Sequence, residues 1–350
     1  PAAPLGPQQA GPNCGDNPVI QLASPREGFS LDQGAPVEIV AEIRDGCGEP
    51  VTTAGPVVEF SSGEPTIPLE MVEPGSYVGT WTPQTPANQV TVSALLPGAT
   101  ATSTGTVETS GRPWIGRGGV VNGADFAQRQ AVAPGSIVSL FGLNLGPSSS
   151  AAEALPLPTE LAGVSVLADG SPTPLFAAFP TQINLQAPFE TSGQTISEFV
   201  VHVEGQYSVP ERLAVTPSQP GIFQLPAALD GPGRAVVINQ DGSLNRIANP
   251  APSGSVITVY LTGQGPLTVP VATGDPAPFP PSLAEASLPT TVTIDGVISA
   301  TQFVGLTPGF VGLLQANVVV GEVSSAEPDA EIAIRIGDAS SIPLRFSIAP

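Results

Sequence analysis

Few side chains in this sequence can do chemistry, and their spacing limits what that chemistry is. His202 is the single histidine, Cys14 and Cys47 are the only cysteines, and all 10 basic residues are arginine. A histidine acting as a general base needs a nucleophile and an orienting acid beside it. In "EFVVHVEG" the alternation puts His202 on the face opposite Phe199, Val201 and Val203, towards solvent or a sheet edge, and no Gly-x-Ser-x-Gly elbow occurs. Zinc requires three or four His or Cys ligands, and this chain has three such residues in all. The lack of lysine removes Schiff-base chemistry, a phosphate loop closing on Gly-Lys, a Ser–Lys dyad and Lys–Asn isopeptide cross-links. "EPDAE" (Glu327 to Glu331) and "INQDGS" (Ile238 to Ser243) offer oxygen ligands without the spacing of a calcium loop. They read more simply as a charged loop and an Asp-Gly hairpin turn. "GRPWIGRGG" lacks the third spaced glycine of a nucleotide loop and reads as a linker. Sugar clefts carry exposed rings, and only Trp114 and Tyr207 are candidates; Trp114 reads better as packing at the join of the first and second domains. The expectation is a non-enzyme with no catalytic residue, cofactor or metal.

Cys14 ("GPNCGDNP") and Cys47 ("RDGCGEP") both sit in turn sequences. Two turn cysteines without a histidine cluster fit a disulfide better than a metal site, the alternative being two free thiols. A disulfide implies an oxidising compartment, hence a secreted, extracellular or cell-surface protein. No signal peptide or bilayer-length apolar run is present, which reads as a mature, soluble form. The formal charge of −20, from 30 acids against 10 bases, disfavours nucleic acid and anionic lipid surfaces.

With 42 Pro and 39 Gly the chain is punctuated too often for long helices, while 41% apolar content suffices for cores. This composition predicts an all-β protein of short strands and tight turns. An internal repeat organises its C-terminal part. "PLRFSIAP" (Pro343 to Pro350) matches "PERLAVTP" (Pro210 to Pro217), and an offset of 133 persists back through "IRIGDASSI" against "VHVEGQYSV" and "QANVVVG" against "QINLQAP". "GSIVSLFGLNLGP" (from Gly135) matches "GSVITVYLTGQGP" (from Gly254) at an offset of 119, and the Asp-Gly pairs of "VLADG" and "TIDG" match at 126. Strands are kept while loops change length. Two copies of one antiparallel sandwich are therefore expected, at 111–220 and 221–350, the last copy ending as its predecessor ends.

Residues 18–110 form a different module of strongly alternating strands. In "SYVGTWTP", Tyr77, Gly79 and Trp81 share a face, and an inward Trp of a small sandwich is a core plug. Residues 1–17 are an extended Pro/Gly-rich segment in which Leu5 is the only sizeable apolar side chain. A Cys14–Cys47 bond would tie this leader to the first hairpin of the module.

"GGVVNGADFAQRQAVAPGSIVSLFGLNLGP", "LAGVSVLADGSPTPLFAAFPTQINLQAP", "LTGQGP" and "GLTPGFVGLLQANVVV" resemble a large uncharacterised C-terminal domain family common in secreted acidobacterial proteins. "IRDGCGEPV" and "GSYVGTWTP" resemble the Ig-like domain that often precedes it. Gln264 stands where that family commonly has Leu in "TGLGP", and Ala316 is a further departure. The resemblance implies export and three tandem Ig-like antiparallel β-sandwiches; it carries no catalytic residues across.

These readings favour a structural role. Open sandwiches expose edge strands that accept another strand. The leader, with Ala2, Ala3, Leu5, Gln8 and Gln9 as candidate contact residues, is the segment expected to engage a neighbouring subunit in a head-to-tail homopolymer, by strand insertion or as a polyproline-like strap. Its prolines weigh against strong insertion, and a disordered tail on a monomer is the bland alternative. The alternative function is adhesion to an extracellular glycan or protein through sandwich loops.

Overall fold

The computed structural model describes residues 18–109, 111–127, 131–321 and 329–349. The chain divides into two compact units, Pro1–Gly111 and Arg112–Pro350.

In the first unit the strands are β1 (Val19–Ser24), β2 (Phe29–Asp32), β3 (Val37–Arg44), β4 (Val57–Phe60), β5 (Ile67–Pro68), β6 (Glu70–Glu73), β7 (Ser76–Trp81), β8 (Ala87–Leu96) and β9 (Ala99–Glu108). They make two sheets, ordered β1-β3-β7-β6 and β2-β9-β8-β4-β5. Lettered along the chain with β1 and β2 as a split first strand, this is ABED facing A′GFCC′, the immunoglobulin arrangement. Alternation decides which side chains enter the core: Ile39, Ala41 and Ile43 are fully buried, while Glu38, Glu42 and Arg44 between and beyond them are exposed. Trp81 fills the centre, stacked on Phe60 at 4.6 Å and edge-on to Phe29 at 6.1 Å. Its indole N–H donates to Glu64, whose other oxygen accepts Gln84 N–H at 2.7 Å. A buried ring with its one donor satisfied gains the hydrophobic term without a polar penalty.

The second unit holds two sandwiches. The first has β10 (Trp114–Asn122), β11 (Ala131–Val132), β12 (Ile137–Leu143), β13 (Ser150–Ala151), β14 (Val164–Ala168), β15 (Ser171–Pro172), β16 (Leu175–Ala178), β17 (Gln182–Gln186), β18 (Ile196–Val203), β19 (Gln206–Tyr207) and β20 (Glu211–Val215). The second has β21 (Gly221–Ile222), β22 (Val237–Ile238), β23 (Ala251–Pro252), β24 (Val256–Thr262), β25 (Thr290–Ile294), β26 (Val297–Ile298), β27 (Thr301–Leu306), β28 (Leu314–Val319), β29 (Asp329–Ile336), β30 (Ala339–Ser340) and β31 (Leu344–Ala349). Sheet order is β10-β12-β17-β16-β13 facing β11-β20-β18-β14-β15 in one, and β21-β24-β28-β27 facing β23-β31-β29-β25-β26 in the other. Both again read ABED against A′GFCC′, with β13 added beside β16 in the first, and each has its own buried apolar cluster. The protein is thus all-β, built of tandem Ig-like antiparallel sandwiches.

The repeated Asp-Gly pairs close equivalent hairpins. Asp169 and Gly170 have φ of 52° and 81°, and Asp295 and Gly296 have 49° and 77°, two successive left-handed residues as a type I′ turn demands. Each Asp then pins the neighbouring strand: Asp169 Oδ1 accepts Glu198 N–H at 2.9 Å, and Asp295 Oδ1 accepts Glu331 N–H at 2.8 Å. "INQDGS" forms the expected turn, with Asp241 accepting Ser243 N–H at 3.0 Å. "EPDAE" is a correction. Its last three residues are not loop but the start of β29, and Asp329 is the partner of Arg234, a residue only 1% exposed. Among the described residues no helix is long and apolar enough to cross a membrane.

Candidate interaction surfaces

The residues singled out for chemistry are scattered. His202 lies on the outer face of β18, half-buried, with Tyr207 stacked on it at 4.4 Å and Ser165 Oγ at 3.4 Å from Nδ1. Phe199, Val201 and Val203 are buried on the opposite face, as alternation predicts. No carboxylate hydrogen-bonds to the imidazole among the described residues. Trp114 lies in β10, half-buried, paired across the sheet with Leu143. Among the described residues no group of three or more His, Cys, Asp or Glu is arranged to hold a metal. Cys47 sits in an exposed turn whose N–H donates to Asp45 Oδ1 at 2.8 Å. Cys14 and the leader residues Ala2, Ala3, Leu5, Gln8 and Gln9 lie outside the described residues.

A cleft of about 450 Å³ in the second unit carries acidic groups, including Asp169 and Glu190. Both are occupied by fixed donors. Asp169 accepts Ser197 Oγ–H at 2.8 Å besides Glu198 N–H, and Glu190 accepts Thr273 Oγ–H at 2.6 Å. The cleft is a seam between two sandwiches rather than a pair of free carboxylates.

That seam belongs to a joint of buried polar groups. Gln186 (1% exposed) bridges the two sandwiches: its Oε1 accepts Gly274 N–H at 2.7 Å and its Nε2 donates to Gly135 O at 3.3 Å. Thr262, fully buried, accepts Ile137 N–H at 2.8 Å and donates to Gly312 O at 2.9 Å. Asn122 donates to Gln219 O at 2.8 Å, and Ser218 Oγ donates to Ile336 O at 2.6 Å. The "TGQGP" loop is pressed on the linker: a Cβ on Gly263 would lie 1.9 Å from Gln219 O, and one on Gly265 1.7 Å from Pro217 O. Buried polar groups so paired contribute about 0.5–1.5 kcal/mol each and cost more than that to leave unmade.

Among the described residues, the groups that make the joint have differently partnered counterparts at the corresponding end of the last sandwich. Gly135 N–H to Ala187 O and Gly254 N–H to Val320 O are equivalent bonds at equivalent ends, both 2.9 Å. Ile137 N–H, however, is met by Thr262 of the next sandwich, whereas its counterpart Val256 N–H is met by Gln240 of its own, at 2.9 Å. Val319 stands where the first copy has Gln186. Comparison of the copies, strand by strand, is the signal by which sequence could have found the joint: Gln186 faces Val319, and Thr262 and Gln264 face Leu143 and Leu145.

The second surface is in the first unit. Among the described residues β1 pairs only with β3, and β2 covers β9 only from Gly105 to Glu108. Between β1 and the uncovered half of β9 runs a groove of about 610 Å³, lined by Ile20, Leu22, Arg26, Glu27, Thr102 and Ser103 among others. Ser103 is 2% exposed, and its hydroxyl has no hydrogen-bond partner among the described residues.

No family model and no curated protein matches this chain. Solved structures that align with it include the I9–I11 tandem from titin (12% identity, 94% of this chain and 99% of that one, TM-score 0.20). FdeC, an Escherichia coli adhesin, aligns at 15% identity over 97% and 99% with a TM-score of 0.23. The fibronectin(III)-like modules of Clostridium thermocellum CbhA align at 16% over 56% and 92%, with a TM-score of 0.19. Likeness at this level carries no argument, and the fold assignment rests on the strand orders above.

Proposed function

We propose that this is a non-catalytic extracellular structural protein, a subunit of a surface assembly or filament formed by head-to-tail contacts between copies through the leader. One observation carries the reading: among the described residues the chemically able side chains are dispersed or held by structural hydrogen bonds, while β9 of the first unit keeps an edge that β2 does not cover. Val256 N–H, the counterpart of the joint's Ile137 N–H, is met by Gln240 of its own sandwich, which weighs against growth by repeating the internal joint. The resemblance of residues 111–350 to a secreted family supports export. Deleting residues 1–13 is expected to leave both units folded by circular dichroism and to abolish assembly in negative-stain micrographs at high concentration; fibres that persist would overturn the proposal.

Export also supports a Cys14–Cys47 disulfide fixing the leader's base to the turn after β3. The native chain is then expected to resist alkylation until reduced, gaining two adducts by mass only after reductant. Cys47→Ser is expected to cost about 2–4 kcal/mol in denaturant unfolding, because the bond closes a loop containing β1, β2 and β3. Two adducts without reductant would show free thiols.

A second reading, adhesion through sandwich loops, is favoured by Phe279 and Phe310, which are 69% and 55% exposed on neighbouring loops of the last sandwich. A glycan array on which the chain binds saturably and Phe279→Ala does not would support it; equal binding by both would remove it.

A further inference from the structure

We propose that the groove beside β9 is a strand-acceptor site for the leader of a second copy of this chain, with residues 5–10 pairing along Thr100–Thr102. The proposal rests on leader-mediated assembly and names its docking site. The direction of the free backbone groups follows from neighbouring bonds. Thr104 N–H donates to Glu27 Oε2 at 2.8 Å and Thr104 O accepts Gly28 N–H at 2.7 Å, so the peptide groups of Thr104 point away from β8. N–H and C=O directions repeat every second residue along a strand. The register of β8 with β9 is unbroken from Val90–Gly105 to Leu96–Ala99, so the N–H and C=O of Thr102 and Thr100 also point away from β8, into the groove. Glu27 and Gly28 satisfy only the Thr104 level, and β2 takes over from Gly105. Among the described residues the levels below are an unpaired edge facing an edge strand of the opposite sheet, the geometry in which an extended peptide adds as a strand. The partnerless Ser103 hydroxyl in the groove wall is the independent sign that something polar is missing there, since buried polar groups are normally paired.

The leader fits this edge in one parity. Between Leu5 and Ala10 the N–H groups of Gly6, Gln8 and Ala10 fall on one edge of an extended strand, and Pro7, which has none, falls on the other with Leu5 and Gln9. Proline is tolerated in a strand only where its missing donor faces away from the ladder. Gly6, Gln8 and Ala10 can therefore pair with Thr100 and Thr102, while Leu5, Pro7 and Gln9 turn their side chains to the opposite face, bringing the Gln9 carboxamide to the level of Ser103.

The test is a parity experiment. The acceptor is the chain from residue 14 onward; the buried core of its first unit begins at Ile20, so the fold does not need the removed residues. The probe is a labelled synthetic peptide of residues 1–13, titrated by fluorescence anisotropy. The unaltered peptide is expected to bind saturably and Gln9→Pro to bind within about threefold of it. Gln8→Pro in the peptide, or Thr102→Pro in the acceptor, is expected to weaken binding at least about tenfold, the loss of roughly one well-made hydrogen bond. Thr102→Pro spares the β8 ladder, because the lost N–H faces the groove; Gln8→Pro gives the answer even if that acceptor folds poorly. No binding, or binding indifferent to both Gln8→Pro and Thr102→Pro, overturns the site. A full-length chain that stays monomeric while excluding the peptide shows its own leader in the groove and overturns the second-copy occupant. If deletion of 1–13 abolishes fibres but Gln8→Pro and Thr102→Pro in the full chain leave them, the leader reading stands and this groove falls.

Discussion

Gly265→Ala is expected to prevent the two sandwiches of the second unit from docking, and Gly254→Ala, a matched change in the same sandwich, is not. Both glycines are left-handed, with φ of 70° and 76°, so alanine pays the same conformational cost at either, about 1–2 kcal/mol. They differ in what the new methyl meets. At Gly254 there is nothing within 4 Å; at Gly265 the Cβ falls 1.7 Å from the carbonyl oxygen of Pro217, backbone that cannot rotate aside. The loop must lift off the linker, and lifting it exposes the Gly263–Gln219 bond and unseats Thr262 and Gln264 from the first copy. Those groups lose partners at about 1–3 kcal/mol each. Calorimetry is expected to show one cooperative transition for this unit in the unaltered chain and two in Gly265→Ala, with faster proteolysis around residues 217–221. One unsplit transition, lowered no more than in Gly254→Ala, would mean that the joint does not couple the sandwiches.

The contrast between what the sequence announces and what it hides has a physical basis. Alternation and turn chemistry are local, so Ile39, Ala41 and Ile43 inside, Trp81 as core plug and the two Asp-Gly hairpins are all readable from short stretches. The joint is readable only across the repeat: polar Gln186, Thr262 and Gln264 occupy positions where the other copy keeps Val319, Leu143 and Leu145, and a polar residue at an apolar position of its twin marks a surface that became an interface. Gln264 stands out even in one copy as a departure from the resembled family, but its partner, Gly135 O, is 129 residues away. Asp329 was hidden for the same reason. "EPDAE" looks like a solvated loop because its ligand, Arg234, comes from 95 residues earlier. The free edge of β9 depends on where the split first strand changes sheets, which no single segment states.

The buried pair Arg234–Asp329 is expected to give the second largest effect, and the other copy supplies its control. Arg234 has a side chain 2% exposed and makes a bidentate bond to Asp329 at 2.8 and 3.0 Å; its Nη2 also donates to Ser347 Oγ at 2.5 Å. Removing one partner of such a pair strands a charge in a site built for two, which typically costs about 3–5 kcal/mol. Because the Asp329 side chain keeps 27% exposure, Arg234→Met, which leaves that carboxylate alone, should fall at the lower end, and Asp329→Asn, which leaves the guanidinium buried, at the upper. The first copy has Ile196 at the position of Asp329, so this place in the sandwich does not require the carboxylate. Arg234→Met with Asp329→Ile is therefore expected to recover most of the loss, as apolar replacements of buried pairs do. The hydrogen bond from Arg234, with help from Ser347, holds the Asp329 carboxyl below its ordinary value of 3.8. A carboxylate with a depressed folded pKa contributes stability in full above its unfolded pKa and loses it as pH falls towards the folded one. The gap in unfolding free energy between wild type and Arg234→Met, read from denaturant midpoints, should thus be constant near neutral pH and close as pH drops below about 4. A gap that widens in acid, or a double variant no more stable than Arg234→Met, would show that Arg234 stabilises the last sandwich by packing and not through its partner.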